Sequence, residues 1–471
     1  MPDQNPATSS LSTPVGAPFP FTARISEDAS ALALEVSGPG PDRARRTRTY
    51  GLRGTAQDDF LDLFEGIARD FGARAPRNRQ PEPPAPESPP YRVLLDENLS
   101  PDILYGYGDP AVLRVEGPGG ACYYLVCTSN DAPDAFPILR SRDLVDWEHR
   151  GFAFPRGRTP EWAATGWDQS DFWAPELHRA GEKFLLAFAA RQKGGALAIG
   201  LAAADHPEGP FTPDAQPLLT GGVIDPHLFV GHGGETFLFW KEDSNDLWPG
   251  LLLDLLQRRP DLVERLFPRD EDRRTACLML ALKPWLESLE PMRRFMASQT
   301  LIEAVTADFS LVRLRLEEAA CREADAILDA MRTKIFAQEL DPESRTFLGE
   351  KRLVLENDRD WEAHLIEGVW VHKQDGRFFL FYAGNDFSTP EYGTGVAVAP
   401  SPLGPYRKMD EPLLRSSKNW LGPGHPSVAE GPDGPPWLFL HAFRPGEAGY
   451  KRFRAALALP LRFDGDRVSF G

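Results

Sequence analysis

Apolar residues in this chain fall mostly in short runs closed by turns, not in long helical stripes. Five of these runs are aromatic: Tyr123-Tyr-Leu-Val, Lys183-Phe-Leu-Leu-Ala-Phe, Thr236-Phe-Leu-Phe-Trp, Phe378-Phe-Leu-Phe-Tyr and Trp437-Leu-Phe-Leu-His. Each has the length and composition of one strand. Before each run stand a Gly-containing turn and a shorter apolar strand, and those shorter strands open alike. They read Asp109-Pro-Ala-Val-Leu, Ala174-Pro-Glu-Leu, Asp225-Pro-His-Leu-Phe, Glu367-Gly-Val-Trp and His425-Pro-Ser-Val. Short strands repeating at intervals of about 40 to 60 residues predict blades set around an axis. The expected fold is mainly β, a five-bladed β-propeller spanning 92–471.

Elsewhere the pattern changes. Residues 1–18, rich in Pro, Ser and Thr, read as a disordered tail. Residues 19–75 form a small α+β unit, with strands at Phe21-Thr-Ala-Arg-Ile and Ala31-Leu-Ala-Leu-Glu-Val and a helical apolar period over 58–71. Proline density makes 76–91 a stiff linker. Within the third repeat, 247–332 switches to helical periodicity, clearest at 251–259, 273–286 and 311–331. This α-helical insertion follows a second strand, so in a propeller it belongs to the face where the innermost strands start. It is expected there as a wall or lid; a bundle that only packs or dimerises is the plainer alternative.

Composition narrows the function classes. The 471 residues, 42% hydrophobic and 11% aromatic, suit a globular protein of two or three domains. A net charge of −17 argues against nucleic acid or an anionic membrane as partner and leaves a neutral carbohydrate unhindered. Cys122, Cys127, Cys277 and Cys321 form no CxxC pair and are expected as reduced thiols. No run of 18 apolar residues marks a membrane span. The first residues lack the basic start and apolar core of a secretory signal, so the cytoplasm is the expected location.

Equivalent positions in a propeller meet near the axis, which would bring Asp109, Asp225, Glu367 and His425 together. Paired carboxyls suit glycosidic bond cleavage, where one protonates the leaving oxygen and another activates water or attacks carbon. A third nearby raises the pKa of the acid. A metal cage would need denser ligands. A sugar ring also wants an aromatic platform; Trp173 is the first candidate, with Phe172 and Trp240 behind it, and Arg444 could donate to hydroxyls. Strand alternation puts Glu176 and His227 on the same side as the openings.

The order of these motifs resembles glycoside hydrolase family 43. It runs from Asp109-Pro through Ser141-Arg-Asp-Leu-Val-Asp-Trp, Trp173-Ala-Pro-Glu, Ile224-Asp-Pro-His-Leu-Phe and Ile366-Glu-Gly-Val-Trp to Gly422-Pro-Gly-His-Pro-Ser. The resemblance implies a five-bladed propeller that hydrolyses terminal α-L-arabinofuranosyl or β-xylosyl residues with inversion. It implies Asp109 as general base, Asp225 as modulator and orienter of the acid, and Glu367 as general acid. It implies no required cofactor; the one metal it suggests is a structural calcium held through waters at His425. Inversion would set the Asp109 and Glu367 carboxyls roughly 6.5–9.5 Å apart. Two features depart from the family pattern: the helical insertion, and Gly368 after the acid. The rival readings are a sugar-binding propeller, which has no need of three acids, and a propeller phosphorylase, whose phosphate these acids would repel.

Overall fold

The structure, a computed structural model, describes residues 19–27, 32–52, 57–74, 86–167, 169–231, 233–244 and 247–471. The expected tail at 1–18 and the linker residues 76–85 lie outside the described residues. The chain divides into two compact units, one made of 1–77 with 245–331, the other of 78–244 with 332–471.

In the larger unit five antiparallel sheets follow one another in chain order among the described residues. Sheet I holds Ala111–Gly117, Gly120–Val126, Ala135–Ser141 and Trp147–Phe154. Sheet II holds Trp173–Ala180, Lys183–Arg191, Leu197–Ala204 and Thr212–Pro213. Sheet III holds Val223–Val230, Thr236–Glu242, Lys334–Asp341 and Thr346–Glu356. Sheet IV holds Ile366–Gln374, Arg377–Gly384, Gly393–Ala399 and Arg407–Lys408. Sheet V holds Leu421–Glu430, Pro436–Phe443, Ala455–Asp464 and Arg467–Phe470. It also takes Arg92–Leu95, from the start of the unit, against Ala455–Asp464.

The second strands are apolar along their length because both faces are covered; Phe184 to Ala190 and Phe378 to Gly384 are buried without a break. Burying each large side chain contributes about 1.5–3 kcal/mol. The first strands, in contrast, carry the polar residues. They pack against one another in chain order, and the first strand of sheet V returns to that of sheet I. This cyclic packing gathers their five openings.

The smaller unit joins two segments that the sequence sets far apart. One carries a three-stranded sheet (Thr22–Glu27, Leu32–Pro39, Arg45–Gly51) and a helix, Gln57–Phe71. The other carries the helices Trp248–Arg258, Asp261–Leu266, Asp270–Leu286, Pro291–Thr306, Phe309–Ala319 and Arg322–Ala330. The period expected unbroken over 311–331 is divided at Ala320, which takes a left-handed conformation. Arg74 pairs with Asp272, its backbone N–H donates to Thr275 Oγ1 (2.9 Å), and Phe60 packs on Trp285 at 6.0 Å. Residues 19–74 and the insertion therefore share one core. Among the described residues no helix is long and apolar enough to cross a membrane.

Candidate active site

The site is built from a repeated irregularity. In sheets II to V the pairing of first and second strands slips by one residue near the opening, as between Ile224↔Lys241 and His227↔Phe239, or Glu367↔Ala383 and Trp370↔Phe381. These are β-bulges, with two residues opposite one. The bulge residue has positive φ: Ala174 44°, Asp225 53°, Gly368 58°, His425 53°; Asp109, just before sheet I's first strand, has 55°. A side chain in that region costs about 1–3 kcal/mol and persists where the surroundings enforce it.

This register corrects the alignment of the openings. Gly368, not Glu367, stands level with Asp109, Asp225 and His425; Glu367 lies one residue earlier, level with Trp173 of sheet II. Gly368 is required there. A Cβ would sit 2.8 Å from His425 ring atoms, and its N–H donates to Asp225 Oδ2 at 2.9 Å. The glycine that departs from the family pattern is thus explained by close approach.

Asp109 is buried among donors. Arg454 donates to Oδ1 at 2.7 Å and Thr128 to Oδ2 at 2.5 Å, and the Nδ1 atoms of His425 and His441 each lie 3.3 Å from Oδ1. The Asp109 N–H donates to His441 Nδ1 (3.0 Å), so that imidazole is neutral, and burial drives its pKa down to about 4. Burial opposes the charge on Asp109, but Arg454 and then His425 outweigh it and hold the carboxyl well below the usual range.

Among the described residues Lys241 acts on both other carboxyls and contacts one of them. Lys241, 1% exposed, donates to Glu367 Oε2 at 3.0 Å, and Tyr392 donates to Oε1 at 2.9 Å. Burial pushes Asp225 up to about 7, opposed by Lys241 and helped by the charge of Asp109. Burial also raises Glu367, opposed by Lys241 and helped by Asp225.

Trp173 is half-buried, and its Nε1 donates to Asn130 Oδ1 at 3.0 Å. The same segment holds Thr128, which accepts the Ala174 N–H (2.8 Å) while bonding Asp109, so the indole is tied to the Asp109 carboxyl. Three expected contacts lie elsewhere. Phe172 is 1% exposed and packs edge-on against Phe136 at 5.7 Å. Trp240 is 3% exposed and stacks on Phe336 at 6.0 Å. Alternation sends both into the cores between sheets. Arg444 pairs with Asp96 (2.5 Å) and covers Trp420 at 4.9 Å, in a groove with Pro89 and Lys418.

Two metal questions arise. A calcium cage needs six to eight oxygens. Around the axis Ala174 and Gly368 offer none, Asp109 is taken up by Arg454 and Thr128, and His425 offers nitrogen. These side chains alone do not make such a cage, and the calcium expected at His425 is one held through waters. One step along the strands, Glu176 Oε2, His178 Nε2 and His227 Nδ1 lie within 4.8 Å of one another. Here the Val371 N–H donates to His227 Nε2 at 2.9 Å, so the ring proton sits on Nδ1 and is donated to Glu176 at 2.7 Å. A metal on Nδ1 would force a proton onto Nε2, against the Val371 N–H. The cluster is a hydrogen-bonded tie across sheets II, III and IV.

Lys241, Tyr392, Thr128, Arg454 and His441 were not singled out from sequence. Two left a signal: Lys241 shares a strand face with Phe237 and Phe239, and His441 with Phe439, so alternation marks both as buried polar residues. Tyr392, Thr128 and Arg454 lie just outside strands, where no period operates.

The family model for glycosyl hydrolases family 43 matches residues 101–254 and 322–468 and skips most of the helical insertion. The xylosidase/arabinosidase 43A of Humicola insolens is 28% identical over 281 residues, 58% of this chain and 67% of that protein. A xylosidase/arabinosidase of Bacteroides ovatus is 23% identical over 300 residues, 64% of this chain and 73% of that protein. The crystal structure of a thermostable family-43 glycoside hydrolase superposes with a TM-score of 0.54 at 25% identity, covering 78% of this chain and 92% of that one.

Proposed function

The chain belongs to glycosyl hydrolase family 43, and on that premise we propose that it is an inverting glycosidase releasing terminal β-xylosyl or α-L-arabinofuranosyl residues. The five sheets read as the blades of one propeller, with the catalytic groups at the openings of the innermost strands. One observation carries the mechanism: buried carboxyls in one site are held in opposite protonation tendencies. Asp109, kept ionised by Arg454 and His425, takes a proton from the attacking water. Glu367, raised by burial and by Asp225, gives its proton to the departing glycosidic oxygen. Asp225, anchored by the Gly368 N–H, raises the acid and orients it. Trp173 offers the face for the sugar ring. No cofactor enters these steps, since both proton transfers are carried by carboxyls. The nearby cations, Arg454 and Lys241, are each engaged by a carboxyl group, which disfavours phosphate as acceptor. The names of the relatives support a xylosyl or arabinosyl substrate.

The test is hydrolysis of a nitrophenyl glycoside panel and of natural disaccharides by wild type and Glu367→Ala, with the product anomer followed by proton NMR. The expected result is release of xylose or arabinose with inverted configuration. Disaccharide hydrolysis should fall at least about 10²-fold in the variant, with a smaller loss on the activated nitrophenyl substrate. A product of retained configuration, or an undiminished variant, would overturn the assignment.

A further inference from the structure

Lys241 is the residue whose presence the fold least explains. It ends a run, Thr236 to Trp240, whose every residue is buried, and its own side chain is 1% exposed. An ammonium stripped of water persists only where other groups replace its hydration. Here they are Glu367 Oε2 at 3.0 Å and Asp243 Oδ1 at 3.5 Å, with Asp225 near enough to act on its charge. The same cation acts on His364 and Asp386. Glu367 in turn faces Tyr392, Asp225, Asp386 and His425.

The two donors on Glu367 differ in kind. A tyrosine hydroxyl can turn and accept a hydrogen bond; an ammonium has no lone pair and can only donate. Oε2, held against Lys241, is therefore a poor seat for the proton, and Oε1 is the oxygen left to carry it. When that proton departs, a second anion appears beside Asp225, and the buried ammonium is the close counter-charge.

We propose that Lys241 is a positioning residue for the acid: it holds Oε2 of Glu367, leaves the transferable proton on Oε1, and balances the charge that Glu367 acquires on giving it up. This rests on the reading of Glu367 as general acid. Removing the cation leaves Glu367 holding its proton more tightly, so the acid form persists to higher pH but yields its proton less readily.

The experiment compares wild type, Lys241→Met, Lys241→Gln and Lys241→Arg, with folding checked by thermal unfolding, through kcat/KM against pH on a natural disaccharide. In the Met and Gln variants the alkaline midpoint is expected to rise by about one pH unit or more, with kcat on the disaccharide down roughly tenfold or more. A nitrophenyl glycoside, which needs less acid help, should lose less. Lys241→Arg, keeping the charge, should return the midpoint to the wild-type value. An unmoved midpoint with lower kcat would mean packing only, and a raised KM alone would mean a substrate contact; either overturns the proposal. Carboxyl-carbon NMR titration of ¹³C-glutamate-labelled protein separates this failure from that of the underlying reading. The resonance missing in Glu367→Gln belongs to Glu367, and its titration must move up in Lys241→Met whatever the substrate. Disaccharide hydrolysis undiminished in Glu367→Gln would instead remove the acid assignment, and the role of Lys241 with it.

Discussion

Asp109 and Asp225 occupy equivalent openings of sheets I and III. Both have φ near 55°, both are followed by proline, and both are buried. Burial pushes each carboxyl upward, yet Asp109 ends well below the usual range and Asp225 rises to about 7. The neighbours account for the difference. Asp109 has a guanidinium at 2.7 Å, while Asp225 must share the influence of Lys241 with Glu367 and Asp243, both closer to it. Identical backbone and identical side chain therefore yield opposite chemistry through the local count of cations and carboxylates.

The strongest way to test that comparison is to neutralise each aspartate in place. Asp109→Asn removes the proposed base and should cost about 10³-fold or more in kcat on both disaccharide and nitrophenyl glycoside. Asp225→Asn keeps the proposed base and acid and should cost less, roughly 10–10²-fold. Because it deletes a charge that raises Glu367, the alkaline limb of its pH profile should move down. Equal losses with equal limbs would break the distinction between the two positions.

A sharper test exchanges the surroundings. Arg454→Met takes away the main cation at Asp109, so burial should raise that carboxyl. The base works only when ionised, so the acidic limb should move up while the alkaline limb stays. Kinetics across pH 3 to 9 check this; an unmoved acidic limb would show that His425 suffices.

The smallest effect concerns the backbone that the openings share. Gly368→Ala places a Cβ at φ 58° and 2.8 Å from His425. A loss of about 1–3 kcal/mol is expected, read as a lower denaturant midpoint. A neutral result would mean that the bulge of sheet IV relaxes without loss.

The repeat, the mainly β character and the three carboxyls were legible because strand openings and aromatic strands recur in order along the chain. The level of Glu367 was not. A bulge shifts register by one residue without changing the apolar pattern, so counting from the strand start placed Glu367 where Gly368 stands. Phe172 and Trp240 looked like sugar platforms because composition says aromatic, while only packing says which way a ring points. The packing of 19–74 with the insertion was equally hidden, since nearly 200 residues separate Arg74 from Asp272.

By itself the sequence determined which strands exist, which residues open them and which acids are available, because these follow from short-range period and side-chain chemistry. Tertiary structure decided the protonation of each acid. The cation of Asp109 lies 345 residues away at Arg454, and the lysine of Glu367 lies 126 residues away on another sheet. Electrostatic energy depends on distance in space and on burial, and neither is written along the chain.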